Sequence, residues 1–266
     1  METVNCRLLT VDSVLTGIEV AVHPLEPDTE VPMLRHITRT IILATLLIFI
    51  GADAEAQWQR HYEPMGQLRF RLGIFEPAGG SDGWDGVFEG FTGRPSDLQD
   101  FVGGMDYLWR TGRHTSVLFG FSYFSGKTTS AYEDWVAQDG SEIRHTTGLE
   151  FSDLTAAFVY RFGSTGIRPY AGIGGGFVWW TLTDEGYFID FGVPDQPVFW
   201  AWYGARGNTF EAFGLVGVDF PLSPRWSFFA EGRYRWASDE LGDDYSGFGK
   251  LDLSGYEISG GFGVNF

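Results

Sequence analysis

The chain has 266 residues, a net charge of -17 and one cysteine, and 17% of its residues are aromatic. The acidic charge excludes a nucleic-acid-binding role, because phosphate groups would be repelled, and the lone Cys6 excludes a structural disulfide. The 37 glycines and the many aromatic residues favour strands and turns over helices, so an all-β fold is expected.

The N-terminal part of the chain is interpreted as two segments that precede the mature protein. Residues 33–56 resemble a secretory signal peptide, since basic side chains precede an apolar run at 41–50 and the small residues end at Ala56. That run is too short for a membrane-spanning helix, which needs about 20 residues, so cleavage after Ala56 is favoured over a retained anchor. Residues 1–32 show no targeting pattern and are interpreted as a mis-called start or a disordered extension. The mature domain is then 57–266.

Apolar and polar residues alternate with a period of two from residue 57 onward, which is the pattern of strands with two different faces. In the last segment Phe262 and Phe266 lie on one face, and Gly261 and Asn265 lie on the other. Most of the predicted strands have the length that a tilted strand needs to cross a bilayer. The eight predicted strands are Leu68–Phe75, Asp100–Trp109, Thr115–Phe124, Phe151–Phe162, Arg168–Leu182, Thr209–Phe220, Arg225–Trp236 and Leu251–Phe266.

The connections between these strands alternate between short and long. The short turns are Arg110–His114, Gly163–Ile167 and Pro221–Pro224, and the long loops are Pro77–Leu98, Gly126–Gly148, Thr183–Arg206 and Ala237–Lys250. This layout predicts an eight-stranded antiparallel up-and-down transmembrane β-barrel with short periplasmic turns, four long extracellular loops and periplasmic termini. Aromatic residues near the short turns predict an interfacial girdle, formed by Trp109, Tyr160, Phe162, Tyr170, Phe220, Trp226 and Phe266.

The C-terminal strand resembles the recognition signal of eight-stranded outer-membrane β-barrels of the opacity and OmpA-like type. The signal is matched in order by Ser259, Gly261, Val264 and Phe266, and the stretch Arg168–Val178 is similar to the fifth strand of opacity-type barrels. The resemblance implies insertion into outer-membrane lipid by the outer-membrane assembly machinery. It covers the barrel domain alone, so no peptidoglycan-binding domain is expected, and a monomer is predicted.

Charged residues on the polar faces of the strands are expected to point into the lumen. Since buried charges persist only when they are paired, the sequence predicts an ion-pair network. An eight-stranded barrel has an interior that side chains can fill, so a plugged lumen is preferred and a narrow gated ion path is the alternative. The predicted lumen charges are Arg69, Arg71, Asp106, Arg161, Glu211, Asp219, Glu231, Arg233, Arg235 and Glu257.

No catalytic arrangement is predicted from the histidines. A serine hydrolase needs a histidine beside its serine and a carboxylate that orients the ring, but His61 lies near the N-terminus, His114 in a short turn and His145 with no acid beside it. The run Gly172–Gly176 departs from a phosphate-binding pattern at Phe177 and is interpreted as glycines that relieve crowding inside a strand.

The long loops are acidic and rich in aromatic residues. The stretch SDELGDDYSG has carboxylates of the kind that bind Ca²⁺, but Leu241 breaks the EF-hand spacing, so solvated surface charge is preferred and no metal or cofactor is expected. The loop aromatics predict either strands that continue above the membrane or a recognition surface, with ordered extensions preferred.

The preferred function is a non-enzymatic outer-membrane barrel whose loops serve envelope structure or bind an extracellular partner. A narrow channel for small or apolar solutes is the alternative, and a lipid-modifying enzyme is a third hypothesis.

Overall fold

The computed structural model describes residues 7–8, 65–163 and 166–266. The predicted signal peptide, its cleavage site at Ala56 and almost all of segment 1–32 lie outside the described residues. The exception is the two-residue strand Arg7–Leu8, which pairs with Trp135 and Val136.

Eight long strands make up most of the described chain, and each one contains or overlaps a predicted strand. They are β1 (Gly66–Pro77), β2 (Asp100–Arg110), β3 (Thr115–Val136), β4 (Glu142–Arg161), β5 (Arg168–Ile189), β6 (Val198–Pro221), β7 (Trp226–Glu240) and β8 (Gly255–Asn265).

The strands close into a ring. Each one pairs antiparallel with the next from β1 to β8. Strand β8 also pairs with β1, from Gly255 opposite Pro77 to Asn265 opposite Gln67. The last residue completes this seam, since the Phe266 amide donates to the Gly66 carbonyl at 3.0 Å and the Gly66 amide donates back at 3.1 Å. The predicted eight-stranded antiparallel barrel is therefore confirmed.

The two faces of the ring differ as the alternation predicts. A belt of apolar side chains, each half or more exposed, covers the outside: Phe70, Leu72, Phe101, Leu154, Phe158, Ile173, Phe210, Val216, Ile258 and Phe262. Such a belt suits contact with lipid rather than water. Within the described residues, no helix is long and apolar enough to cross a membrane.

One member of the predicted interfacial girdle is placed wrongly by the sequence. Tyr170 is only 2% exposed and points into the lumen, where its hydroxyl donates to Glu231 at 2.9 Å. Its position in the alternation of β5 explains this, because it lies on the same face as the buried Val178. The exposed aromatics Trp109, Phe162 and Trp226 do lie at the end of the barrel with the short turns, called here the turn rim.

Strands β3 to β6 are about twice as long as β1 and β2, with 22, 20, 22 and 24 residues against 12 and 11. Two of the predicted long loops, Gly126–Gly148 and Thr183–Arg206, are therefore largely hairpin strands that rise beyond the apolar belt. We call this part of the molecule the extension. The outer face of its β3–β4 hairpin carries Lys127 and Glu133 instead of lipid-facing residues, so the apolar-out alternation of the membrane strands does not continue along that hairpin.

The other two predicted long loops cover the end of the barrel opposite the turn rim. The first contains a helix, α1 (Asp82–Phe88), and a 3-10 turn at Pro95–Leu98. Ser81 caps the N-terminus of α1, since its hydroxyl accepts a hydrogen bond from the Trp84 amide. The second contains a 3-10 turn at Asp243–Tyr245 and a short strand, Lys250–Asp252, which pairs with the end of β7.

The interior has two parts. Near the turn rim, the interior holds both an apolar cluster, with Leu108, Leu118, Val159, Phe213 and Leu215, and the charged residues described below. Towards the extension the interior becomes an apolar core that joins the strands to α1 and the loops: Phe75, Trp84, Leu98, Phe124, Leu149, Phe151, Val178, Trp180, Leu182, Tyr245 and Leu251. We call these parts the charged half and the apolar half.

Candidate functional site

All the charged residues that the sequence assigns to the lumen are buried inside the ring. Their exposed fractions lie between 1% and 6% for Arg69, Arg71, Asp106, Arg161, Glu211, Asp219, Glu231, Arg233, Arg235 and Glu257. Strand alternation places them there, because each follows its lipid-facing neighbour by one residue. They form successive layers along the barrel axis.

The layer nearest the turn rim is centred on Arg69. Its guanidinium lies 4.0 Å from Asp219 and donates through Nε to the Gln67 amide oxygen at 2.7 Å. It also stacks over the rings of Tyr170 and Phe229, at 5.0 and 4.9 Å from their centres. These contacts fix the cation between a carboxylate and two aromatic faces, which compensates part of its lost hydration.

The middle layer joins three strands through Arg71. Its guanidinium forms an ion pair with Glu257 on β8 and lies 3.4 Å from Asp106 on β2. Next to it, Arg233 donates to Glu231 at 3.0 Å and lies over the Phe213 ring at 4.7 Å. A single arginine therefore links the two strands on either side of β1.

The layer closest to the apolar half is centred on Arg235. Its guanidinium bonds to Asp153 at 2.7 Å and lies 3.3 Å from Glu211. Asp153 also accepts a hydrogen bond from the Ser122 hydroxyl at 2.5 Å. The sequence reasoning missed Asp153, although it lies on the same face of β4 as Arg161, so the alternation could have identified it.

Arg161 is the predicted lumen residue that lies apart from these layers. It sits at the turn rim, where it donates to the Arg113 carbonyl at 3.2 Å, and the His114 ring lies 3.0 Å from the Arg161 carbonyl. Arg161 thus fastens the turn between β2 and β3 to the end of β4.

Three phenylalanine rings lie directly above the charged layers. Phe75, Phe124 and Phe151 come from β1, β3 and β4, and their centres are 4.9 to 5.1 Å apart. All three are at most 2% exposed. Arg235 reaches across from β7 and stacks on Phe151 at 4.2 Å and on Phe75 at 5.3 Å. We call these three rings and the stacked guanidinium the phenylalanine lid.

The glycine run of β5 shapes the wall of this lumen. A Cβ atom on Gly174 would lie 2.6 Å from the Phe213 ring and would meet the Ala156 carbonyl oxygen. Its cross-strand partner on β6 is Phe213, so the Phe213 ring fills the space that a side chain at position 174 would need. The run relieves crowding, as the sequence predicts, and has no helix after it.

The residues of the predicted assembly signal lie at the seam between β8 and β1. Ser259 and Gly261 face inward, and a Cβ atom on Gly261 would collide with the Phe70 carbonyl. Phe266 is 59% exposed and stacks on the Tyr107 ring at 6.0 Å. Val264 is partly exposed on the same outer face. The geometry gives Gly261 a packing role at the seam and leaves Phe266 accessible.

A second polar cluster is buried inside the extension, and the sequence reasoning did not bring its members together. The imidazole of His145 on β4 lies 3.0 Å from the Ser130 hydroxyl on β3 and 3.6 Å from the Asp184 carboxylate on β5. Phe91 and Phe188 pack against the ring, with centres 4.1 and 5.4 Å away. Burial lowers the pKa of His145 to about 4 and raises the pKa of Asp184 to about 7.

Asp184 supplies the acid that the sequence around His145 lacks, yet the cluster does not have the geometry of a hydrolase. Both Ser130 and Asp184 approach the same ring nitrogen, Nε2, whereas a triad needs the serine and the acid on opposite nitrogens. His145 is also only 1% exposed, so a substrate has no access to it. The cluster acts as a packing element of the extension.

The acidic loop around Asp239 uses its carboxylates for structural bonds. Asp239 accepts from the Trp180 indole at 2.9 Å, and Asp244 accepts from the Gly204 amide at 2.9 Å. Among the residues that the structure describes, no group of three or more potential ligands could hold a metal ion.

Several solved structures are similar to this chain. The outer membrane protein OprG from Pseudomonas aeruginosa is 14% identical, with a TM-score of 0.47, and the match covers 78% of this chain and 98% of that one. A major outer membrane protein from Thermus thermophilus is 10% identical, with a TM-score of 0.45, and the match covers 76% and 99% of the two chains. Neisserial surface protein A is 14% identical, with a TM-score of 0.43 and coverage of 76% and 96%. No protein-family model and no curated protein matches the chain.

The fold itself is established by the closed strand ladder and the apolar belt of this chain. The chain is an eight-stranded β-barrel of the outer-membrane type, as its sequence predicts.

Proposed function

We propose that the chain is a non-enzymatic outer-membrane barrel with a closed lumen, which holds an ordered extension outside the cell for binding. The observation that carries this proposal is the phenylalanine lid above the charged layers. A conducting barrel needs a continuous wet path, and the lid replaces that path with three packed rings and a stacked guanidinium. The lumen is thereby suited to holding the barrel together rather than to transport.

The extension supports the second half of the proposal. Four strands continue beyond the apolar belt, and their inner face packs into a core with α1 and the loops. Loops that served only to connect the strands would need far fewer residues. A rigid surface held away from the lipid is instead what a binding protein needs, because little ordering cost is left for the moment of binding.

Conductance of the refolded protein in planar bilayers tests the closed lumen. The unaltered protein should give no stable stepwise openings, whereas the double change Phe124→Ala and Phe151→Ala should introduce them, since it removes two of the three rings of the lid. The matched control is Phe158→Ala, which removes a lipid-facing ring from the same strand as Phe151. Stepwise openings in the unaltered protein would favour the narrow channel instead.

Labelling of whole cells tests the orientation. Gln138→Cys lies in the turn at the tip of the β3–β4 hairpin, and Arg113→Cys lies in a turn at the opposite rim, and both side chains are exposed. The sole native cysteine is Cys6, in the segment predicted to be absent from the mature protein. A membrane-impermeant maleimide should label only the Gln138→Cys protein, and the reverse pattern would contradict the proposed orientation.

A further inference from the structure

The upper part of β6 forms an open sheet edge. Strand β6 pairs with β5 from Val198 opposite Ile189 to Asp219 opposite Arg168. Its pairing with β7 begins only at Glu211. Between these points, β6 has one partner on one side, and its other edge faces away from β5.

The lower part of β6 already has hydrogen-bond partners on the side away from β5. The Gly204 amide donates to Asp244 at 2.9 Å, and the Thr209 hydroxyl donates to the Ser238 carbonyl at 2.9 Å. Above Gly204, over Val198–Tyr203, no backbone bond to this edge occurs among the described residues. Alternate residues of a strand direct their backbone groups to the same edge, so those of Trp200 and Trp202 point the same way as the Gly204 amide.

Aromatic side chains flank the open edge. Trp200 and Trp202 are 61% and 54% exposed, and Tyr187 on β5, directly opposite Trp200, is 55% exposed. The Trp202 ring lies over Gly204, where a Cβ atom would come within 3.1 Å of three of its ring carbons. The indoles are therefore positioned against the sheet beside the unpaired backbone groups.

The charges around the edge are acidic. Glu185 lies opposite Trp202 on β5, and the exposed Asp243 and Asp244 lie beside the edge at its lower end. Arg206 is the single basic residue of the β5–β6 hairpin beyond the belt. Indole faces and carboxylates together attract cations, through cation–π contacts and ion pairing.

We propose that this edge binds an extended, lysine- or arginine-containing peptide segment, which adds as a further antiparallel or parallel strand beside β6. Backbone bonds to Trp200 and Trp202 would supply the pairing, and the basic side chains would lie over the indoles and near Glu185. The inference rests on the proposed function, because it assigns a partner chemistry to the extension.

Two other occupants fit the surface less well. A second copy of this chain would bring its own acidic edge against the first, and like charges repel. Lipid is remote, because Trp200 on β6 lies ten residues beyond the belt residue Phe210, or roughly 30 Å along the strand.

The test measures binding of a labelled decapeptide of alternating lysine and valine to the refolded protein in detergent, by fluorescence anisotropy. Two control peptides keep the length: one replaces lysine by glutamate, and one carries N-methyl groups on alternate amides, so that it cannot form a strand ladder. The lysine–valine peptide should bind, and each control peptide should bind at least about tenfold more weakly.

Protein variants locate the site. Trp200→Ala and Glu185→Lys should each weaken binding by about tenfold. The matched controls should leave peptide binding unchanged: Trp236→Ala changes an exposed indole on β7, and Glu133→Lys changes an exposed acid elsewhere on the extension. Circular dichroism of every variant should retain the β spectrum, and Trp200→Phe should retain most of the binding if the variant Trp200→Ala fails to fold.

Equal binding of the N-methylated peptide, or equal weakening by Glu133→Lys, would overturn the inference in favour of non-specific charge attraction. Self-association that Trp200→Ala abolishes, seen by analytical ultracentrifugation, would overturn it in favour of a second copy. If the peptide does not bind but the bilayer and labelling experiments give the expected results, the inference fails and the proposed function stands. Reversed cysteine labelling would contradict both the inference and the proposed function.

Discussion

The charged half and the apolar half of the interior are equally buried but filled by opposite chemistry. Within the belt, lipid requires apolar residues outside, and the interior holds arginines paired with carboxylates. In the extension the outer face carries charged residues such as Lys127, Glu133 and Glu185 beside a few exposed aromatic residues, and the interior is a core of leucine, valine and aromatic side chains. The same ring of strands thus has its charged residues inside in the membrane part, whereas its apolar residues form the interior in the extension.

The two halves fix their strand register by different forces. A slip of one residue in the charged half would move Arg71 and Glu257 into lipid, which is very costly. A similar slip in the apolar half would place Leu149 or Leu182 in water, which costs much less. We therefore expect charge pairing to dominate the stability of the first half, and packing to dominate the second.

The largest effect is expected for Arg71→Ala, because it leaves both Asp106 and Glu257 buried without their arginine. The free energy of unfolding should fall by about 3 to 5 kcal/mol. Urea unfolding in lipid vesicles measures this. The lipid-facing Phe228→Leu, which keeps an apolar surface, should change it by less than about 1 kcal/mol; equal losses would mean that water solvates the lumen charges.

Leu182→Ala tests the apolar half. Leu182 is fully buried, so its truncation should lower stability by about 2 to 4 kcal/mol through lost burial and a cavity. Because the loss falls on the extension, hydrogen exchange should increase for amides of the β5–β6 hairpin and remain slow for those at the turn rim. Uniformly faster exchange would show that the two halves unfold as one unit.

Arg233→Ala should lower the free energy of unfolding by less than Arg71→Ala does. Glu231 loses its bond to Arg233 but keeps the hydroxyl of Tyr170 at 2.9 Å. We expect a loss of about 2 to 3 kcal/mol, the cost of a partly satisfied buried carboxylate. The double change Arg233→Ala and Tyr170→Phe should cost more than the two single losses combined, which urea unfolding in vesicles would detect.

The His145–Asp184 pair predicts a cancellation of pH effects. The pKa of Asp184 is about 7 in the folded protein, against an ordinary value of 3.8, so unfolding between these pH values releases a proton. Asp184 therefore makes stability fall as pH rises. Unfolding lets His145 take up a proton, since its pKa is about 4 against an ordinary 6.5, so this group makes stability fall as pH drops. Between these values the two slopes oppose each other.

Single substitutions should separate the two slopes. From pH 4.5 to 6, Asp184→Asn should become more stable and His145→Gln less stable, each by up to about 1.4 kcal/mol per pH unit, while the parent protein changes little. Urea midpoints at the two pH values measure this. A Thr129→Val control, on the outer face of the same hairpin, should follow the parent. A parent slope as steep as either variant would show that the pair is not buried as described.

The smallest stability effect is expected for Phe266→Ala. The residue is exposed and loses one stacking contact with Tyr107, so stability should fall by only about 1 kcal/mol. If Phe266 serves as an assembly signal, the amount of protein in the outer membrane should fall far more than stability does. Proportional changes in both, measured by membrane fractionation and urea unfolding, would make Phe266 a structural residue alone.

The sequence predicted the membrane part of the fold because a bilayer imposes one strict rule, apolar outside, on every strand. The lumen charges followed from that rule, and Asp153 could have been added to them by the same alternation. Tyr170 was misplaced because an aromatic residue near a turn suits both an interfacial girdle and the lumen, and only the register of β5 decides between them.

The strands of the extension could not be predicted by the same alternation, for a physical reason. Once β3 to β6 leave the lipid, their outer faces mix charged residues such as Lys127 and Glu185 with aromatic residues such as Trp200, so alternation no longer distinguishes a strand from a loop. The cluster of Ser130, His145 and Asp184 joins three strands, so it depends on hairpin registers that no local pattern encodes.

The inward glycines of β5 limit which substitutions this strand can accept. Gly172, Gly174 and Gly176 each lie opposite a large residue of β6, namely Leu215, Phe213 and Glu211. An added methyl group on Gly174 would strike both the Ala156 backbone carbonyl of β4 and the Phe213 ring, so a smaller residue at position 213 would relieve only the second clash. In a saturation mutagenesis screen, these three positions should therefore reject other residues even when the β6 partner is truncated, whereas the neighbouring lipid-facing Ile173 should accept most apolar residues.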